Sequence, residues 1–237
     1  MANKLILQTD IIEFDLDGTL VNTTVAVEKT WRDLCKQHNV NADDLFEHSH
    51  GSRTSDVFAR FFPNIDNTDN KAAIEFERTI VETFPDDVVV IPGARELLQS
   101  LNPHKWCIVT SGNKGIATGW FKEGKVFHDI PKPDVFIVAD MVTKGKPHPE
   151  GFLRGAEILA ESLNLDKSKI KKLVYEDSIA GINAGLASGA TVIGVASGFT
   201  PKRLYEAGAH YVIQDMKSVK VLDGDKIELE LKVIGKE

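Results

Sequence analysis

The sequence predicts an α/β protein: a doubly wound, mostly parallel sheet with a small all-helical segment inserted after the first strand. Three observations predict it. Short apolar, β-branched runs recur along the chain, each followed by a glycine-rich or polar turn. Stretches of helical apolar spacing separate most of these runs, and strand alternating with helix implies right-handed crossovers and a sheet covered on both faces. The alternation fails over residues 22–88, where apolar residues keep a helical period and no convincing strand occurs.

The first strand is Ile11-Ile12-Glu13-Phe14. The insert follows, with apolar positions Val25, Val27, Trp31 and Leu34, then Val57, Phe58 and Phe61, then Ile74, Ile80 and Val81. Within it NIDNTDN reads as a loop between helices. Strands are then expected at 106–109, 135–138, 173–175, 191–195 and 211–213, and helices at 94–101, 151–163, 179–188 and 201–207. PHPEG and TPKR mark two helix starts, because proline fits the first turn, where its missing N–H costs nothing. The tail alternates at Ile227, Leu229, Leu231 and Val233 and carries an Asp223-Gly224 turn, the pattern of an edge hairpin.

The formal net charge of −7 argues against a polyanion partner such as nucleic acid, which normally needs a basic face. The N-terminal MANKLILQTD holds too short an apolar stretch for a signal peptide, and no run is long enough to span a membrane. The two cysteines, Cys35 and Cys107, lack metal-ligand spacing and fit a reduced interior, so a cytoplasmic protein is expected.

Ligands of an open α/β sheet bind beyond the carboxyl ends of its strands. Four polar clusters fall at such ends: Asp15-Leu16-Asp17-Gly18-Thr19, Thr110-Ser111-Gly112-Asn113, Lys146 in KGKPHPEGF, and Glu176-Asp177 followed by Ser178 and Gly181. Each has an ordinary explanation when taken alone: a polar loop, a helix cap, a solvated lysine. Together they place four carboxylates, a lysine and a hydroxyl turn at one sheet edge, where unpaired negative charge is strongly destabilising. A divalent cation and a phosphate resolve that conflict. Mg²⁺ takes oxygen ligands, and a phosphate supplies charge for Lys146 to balance.

The ordered set DLDGT, TSG, GKP and ED-S-x-x-G resembles the haloacid dehalogenase superfamily of phosphohydrolases, over residues 10–214. The insert is similar to the small helical cap of its beta-phosphoglucomutase-like branch. Within that branch TTVAVEKTW, HSHGSRT, FFPNIDNTDNK and EAGAHYV resemble fungal 2-deoxyglucose-6-phosphate phosphatases and, more distantly, the glycerol-1-phosphate phosphatases of yeasts. The resemblance implies a Rossmann-like catalytic core of residues 1–21 and 89–237 and a cap of residues 22–88. It implies a Mg²⁺-dependent phosphatase of small sugar or polyol phosphates, monomeric because a cap-covered site needs no second subunit.

Residue roles follow from the same resemblance. Asp15 is the implied nucleophile, forming an aspartyl-phosphate, and Asp17 the general acid and then base. Mg²⁺ is held by the Asp15 carboxylate, the Asp17 carbonyl and Asp177, with Glu176 acting through a water. Thr110, Ser111 and Lys146 hold the phosphoryl oxygens, with Gly112 and Asn113 completing that turn. In the cap, Arg53 is the expected substrate reader, while His48 and His50 face either the substrate or solvent. Dehalogenase and phosphonatase members lack the second aspartate, so Asp17 argues against both. Mutase members carry a cap histidine ten residues after it, where this chain has Val27.

Overall fold

A computed structural model describes residues 3–130 and 132–236. The chain opens with β1 (Asn3–Gln8) and β2 (Ile11–Phe14), then β3 (Val21–Asn22) and four helices, α1 (Thr24–His38), α2 (Ala42–Ser49), α3 (Thr54–Phe61) and α4 (Lys71–Thr83). After β4 (Val89–Val90) come α5 (Ala94–Ser100), β5 (Trp106–Val109), α6 (Lys114–Gly119), β6 (Phe136–Ile137) and α7 (Glu150–Ser162). The remainder is β7 (Lys172–Glu176), α8 (Ile179–Ala187), β8 (Thr191–Val195), α9 (Pro201–Glu206), β9 (Tyr211–Ile213), β10 (Val219–Asp223) and β11 (Glu228–Val233). No helix among the described residues is long and apolar enough to cross a membrane.

Six strands form the central sheet in the order β6-β5-β2-β7-β8-β9, every pair parallel. β2 and β5 are buried along their whole length because both faces are covered. One face packs on Phe152, Ala156 and Leu159 of α7, Ile182 of α8 and Leu204 of α9. The other packs on Leu97 and Leu98 of α5 and Ile116 of α6. β2 lies between β5 and β7, so the direction of winding reverses there. Its carboxyl end is a ready-made crevice.

β2 also carries Glu13, fully buried, with its carboxyl pushed well above the ordinary range by burial. Gly155 of α7 makes the room: a Cβ there would stand 2.9 Å from Glu13 Oε1. This interior acid was not legible as such, since one glutamate in an apolar run reads equally well as a solvent-facing position.

Two departures from the sequence reading concern strands. The insert is tied off by a two-residue antiparallel ladder, Val21 with Val90 and Asn22 with Val89, too short to leave a periodic signal. The tail does form an antiparallel hairpin, β10 with β11, but it does not edge the main sheet. β11 is instead the middle strand of a separate sheet, with β1 antiparallel on its other side. Leu5 and Leu7 of β1 face Leu231 and Leu229 across that ladder, a partner the reading of the tail alone lacked. The Ile234 N–H donates to the Val212 carbonyl at 2.8 Å and joins this small sheet to β9.

The four insert helices close around Trp31, whose ring centroid lies 3.9 Å from that of Phe76, 5.5 Å from Phe58 and 5.8 Å from Phe62. Val25 and Ile74 follow the helical period yet stand 48% and 47% exposed, since these helices bury a narrower stripe than the spacing suggests. Cys35 in α1 and Cys107 in β5 are both buried and unpaired.

Leu229 is fully buried at the centre of the small sheet. Leu229→Ala is expected to lower the unfolding free energy by about 2–5 kcal/mol, the usual cost of a core leucine truncation. Urea unfolding monitored by tryptophan fluorescence checks this, and a loss under about 1 kcal/mol would make the tail sheet peripheral to the core.

Candidate active site

Asp15 is the first residue beyond β2 and Thr110 the first beyond β5, while Glu176 ends β7 with Asp177 next to it. Parallel register carries all of them to one edge of the sheet. Lys146, on the segment leading into α7, inserts its ammonium among them. Its Nζ donates to Asp15 Oδ1 at 2.6 Å, to Glu176 Oε1 at 2.6 Å and to the Val109 carbonyl at 3.1 Å. Burial opposes the Lys146 charge, but Asp15 and Glu176 outweigh it and hold the ammonium above its ordinary range.

The glycines of two motifs exist for these carboxylates. Glu176 also accepts from the backbone N–H and the hydroxyl of Ser178, both at 2.9 Å, and lies flat on the first turn of α8. A side chain at Gly181 would overlap that carboxylate, which accounts for the glycine in ED-S-x-x-G. Ser178 Oγ in turn accepts from the Gly181 N–H at 3.0 Å and caps the helix. Gly18, at φ +98°, passes so close to Asp177 that any Cβ would overlap its carboxylate. Thr19 Oγ1 donates to Asp177 Oδ1 at 3.2 Å.

Carboxylate oxygens of Asp15, Glu176 and Asp177 lie within 4.8 Å of one another, all buried. Burial pushes the Asp15 carboxyl up to about 7, with Lys146 opposing and Glu176 adding to the shift. Burial, then the Asp15 and Glu176 charges, push Asp177 well above its ordinary value. Asp15 Oδ2 is buried with no hydrogen-bond partner among the described residues. An orphaned oxygen inside a set of three hard oxygen donors fits a divalent cation such as Mg²⁺, which would satisfy it and offset the repulsion.

Asp17 lies apart from this trio. Thr110 Oγ1 donates to its Oδ2 at 3.4 Å and accepts from the Gly112 N–H at 3.0 Å. Burial raises the Asp17 carboxyl, with the side chains of Thr23, Trp120 and Thr110 opposing in that order. A cavity of about 100 Å³ opens beside Asp15 and Asp17, with Thr110, Ser111 and Gly112 on its core side. Val27, Trp31, His50, Thr54 and Glu77 line it from the insert.

The insert residues expected at the substrate divide. His50 lines the cavity, its ring edge-on to Phe199 at 5.8 Å, and burial lowers its pKa against the opposing pull of Glu28. His48 does not. It lies on α2 with Nδ1 3.0 Å from the Asp44 carbonyl, on the outer surface. Arg53 is turned away as well, a correction to its expected role as reader. Its Nε and Nη2 donate to Asp56 at 2.8 and 2.9 Å, and its Nη1 to the Val142 and Thr143 carbonyls, each at 3.3 Å. A planar fork with five donors suits a joint between two elements as well as it suits a ligand. Asn113 also stays out of the cavity: its side chain caps α6 by accepting from Gly115 and Ile116. Ser111 spends its hydroxyl on the Gly51 carbonyl at 2.7 Å.

Glu77 was missed. It is 3% exposed, accepts from Thr54 Oγ1 at 2.6 Å and from the Asn113 N–H at 2.8 Å, and so bridges α3, α4 and the turn after β5. The signal was present. Ala73, Phe76, Glu77 and Ile80 occupy i, i+3, i+4 and i+7 of α4, which places a glutamate on the buried face.

With this geometry in view, the family model described as haloacid dehalogenase-like hydrolase matches residues 12–195. The chain belongs to that family. It is 42% identical over 235 residues to 2-deoxyglucose-6-phosphate phosphatase 1 of Saccharomyces cerevisiae, covering 94% of this chain and 95% of the relative. It is 36% identical over 237 residues to glycerol-1-phosphate phosphohydrolase 1 of the same yeast, covering 96% and 92%. Among solved structures, a hydrolase from Pseudomonas syringae superposes with a TM-score of 0.70 at 26% identity, over 92% of this chain and 95% of that one.

Asp177→Asn tests the electrostatics directly. A carboxyl whose folded pKa is raised stabilises the fold at low pH and loses that contribution as pH rises through the folded value. Removing the charge is therefore expected to stabilise the metal-free protein at pH 8 by about 1–3 kcal/mol and to do little at pH 4. Urea unfolding in EDTA at both pH values measures it. A variant less stable than wild type at pH 8 would show that the Asp177 charge is already compensated.

Proposed function

We propose that this hydrolase is a Mg²⁺-dependent phosphatase that cleaves small sugar or polyol phosphate monoesters through an aspartyl-phosphate on Asp15. The observation that carries the reading is the contrast between the partners of two aspartates two residues apart, both lining the cavity. Asp15 has one oxygen on the Lys146 ammonium and belongs to the trio of oxygen donors with Glu176 and Asp177. Asp17 lies outside that trio with a hydroxyl neighbour, Thr110, and although burial raises both carboxyls, the ammonium is bonded to Asp15. Opposed environments of this kind give a pair of carboxyls separate acid and nucleophile roles.

Asp15, Asp177 and the Asp17 carbonyl would hold Mg²⁺, with Glu176, whose oxygens accept from Lys146 and Ser178, acting through a water. The ion when bound supplies positive charge against the carboxylates and the phosphoryl oxygens. Asp15 attacks phosphorus as the ester P–O bond breaks, and Asp17 delivers its proton to the departing oxygen. The ionised Asp17 then takes a proton from water, which attacks the aspartyl-phosphate, releasing inorganic phosphate and restoring Asp15. Lys146 holds Asp15 in place, and Thr110 with the backbone of 111–112 cradles the transferring group.

Residues 22–88 act as the cap that closes over the leaving group. Val27 on the cavity wall supports hydrolysis over mutase chemistry, because a valine relays no proton. The names of the two yeast relatives make 2-deoxyglucose 6-phosphate and glycerol 1-phosphate the first esters to assay.

Asp15→Asn is expected to remove turnover with the fold retained, and residual activity within about tenfold of wild type would overturn the nucleophile assignment. Asp17→Asn is expected to be far more damaging on sugar phosphates than on p-nitrophenyl phosphate, whose leaving group needs little protonation. EDTA is expected to abolish hydrolysis and Mg²⁺ to restore it. Full activity in EDTA would falsify the metal site.

A further inference from the structure

The cavity has a marked charge imbalance. Four carboxylates line it, Asp15, Asp17, Glu77 and Asp177, and its described lining includes no lysine or arginine. Lys146 meets Asp15 and Glu176 at the core end, and Arg53 is committed to Asp56 and to two core carbonyls. Of the four acids, three sit where the phosphoryl group and cation are handled. Glu77 alone comes from the helical insert, on the side a leaving group occupies.

We propose that Glu77 makes this side of the cavity a reader of neutral hydroxyl groups and a barrier to leaving groups that carry a carboxylate. The inference rests on the phosphatase reading. An ionised carboxylate offers about four acceptor sites. Thr54 Oγ1 and the Asn113 N–H occupy two, leaving acceptor capacity and no donor. A substrate hydroxyl donates into that capacity. A substrate carboxylate brings only acceptors and a second negative charge, with no cation on this wall to meet it. Burial at 3% exposure strengthens both effects, because water screens neither. Trp31, Phe76 and Ile80 beside Glu77 give the carbon skeleton an apolar surface, and Thr24, Ser49, His50 and Ser52 on the same lining add neutral polar groups but no carboxylate.

A purely structural Glu77 would need only to hold Thr54 and Asn113, which a glutamine does with its Oε1 accepting from the Asn113 N–H and its NH2 donating to Thr54 Oγ1. The decisive comparison uses two matched three-carbon esters, glycerol 3-phosphate and 3-phosphoglycerate, which differ at the far end by CH₂OH against COO⁻. It is run at pH 8 with Mg²⁺, above the value of about 7 to which burial pushes Glu77. Wild type is expected to favour glycerol 3-phosphate by at least about tenfold in kcat/KM. Glu77→Gln is expected to narrow that ratio by at least about fivefold while its Tm stays near wild type.

A wild-type ratio within about threefold of unity overturns the proposal whether or not the variant folds. So does a folded Glu77→Gln protein with an unchanged ratio, which would leave Glu77 a joint between helices. Wild type inactive even on p-nitrophenyl phosphate with Mg²⁺ overturns the phosphatase reading, and this one with it. Wild type active on that ester but indifferent to the carboxylate overturns this one alone.

Discussion

The ammonium of Lys146 is the interaction on which the rest of the site depends. It is buried, it bonds to Asp15 and Glu176 at 2.6 Å each, and it ties the segment before α7 to the ends of β2 and β7. Without it the acids at the sheet edge would face one another with no fixed cation. With it they are only partly balanced: the Asp15 and Asp177 carboxyls still sit above their ordinary values. That residual strain is the property that makes the site useful. A fold selected for stability alone would not gather these acids in its interior, and their mutual repulsion is what a bound cation would relieve.

The second constraint is the joint between insert and core. Segment 50–54 meets the core at several points: the Gly51 carbonyl accepts from Ser111, Arg53 reaches Val142 and Thr143, and Thr54 shares Glu77 with Asn113. The approach at Gly51 is so close, at φ +78°, that a Cβ would overlap Ser178. These contacts set the cavity wall against Asp15 and Asp17. The Trp31 cluster keeps the insert helices in register with them, and Trp31 and Phe76 themselves stand on the cavity wall beside His50 and Glu77.

The core acids were legible and the insert's contribution to the cavity wall was not, for a physical reason. Asp15, Asp17, Lys146, Glu176 and Asp177 stand in short strings at strand ends, and parallel register brings such ends together wherever an α/β sheet forms. Arg53 was chosen for its donors, a property of the isolated side chain, whereas its direction is set by Asp56 one turn along α3 and by carbonyls 89 and 90 residues away. Glu77 had a visible signal, a charge on the buried stripe of a helix. A periodic position alone does not say whether such a charge is satisfied, exposed at an end, or aimed into a cavity.

By itself the sequence determined the alternation of strand and helix, the helical interruption, and the acids, hydroxyl turn and lysine that the sheet would collect at one edge. Those features depend on local periodicity and on register between neighbouring strands, both encoded within a few residues. Tertiary structure alone decided the partnership of β1 with β11, the two-residue neck at β3 and β4, the docking of Arg53 on the Val142 and Thr143 carbonyls, and the entry of Glu77 into the cavity. Each of these depends on which distant backbone or side chain meets a group once the chain is packed, and no window of sequence contains both partners.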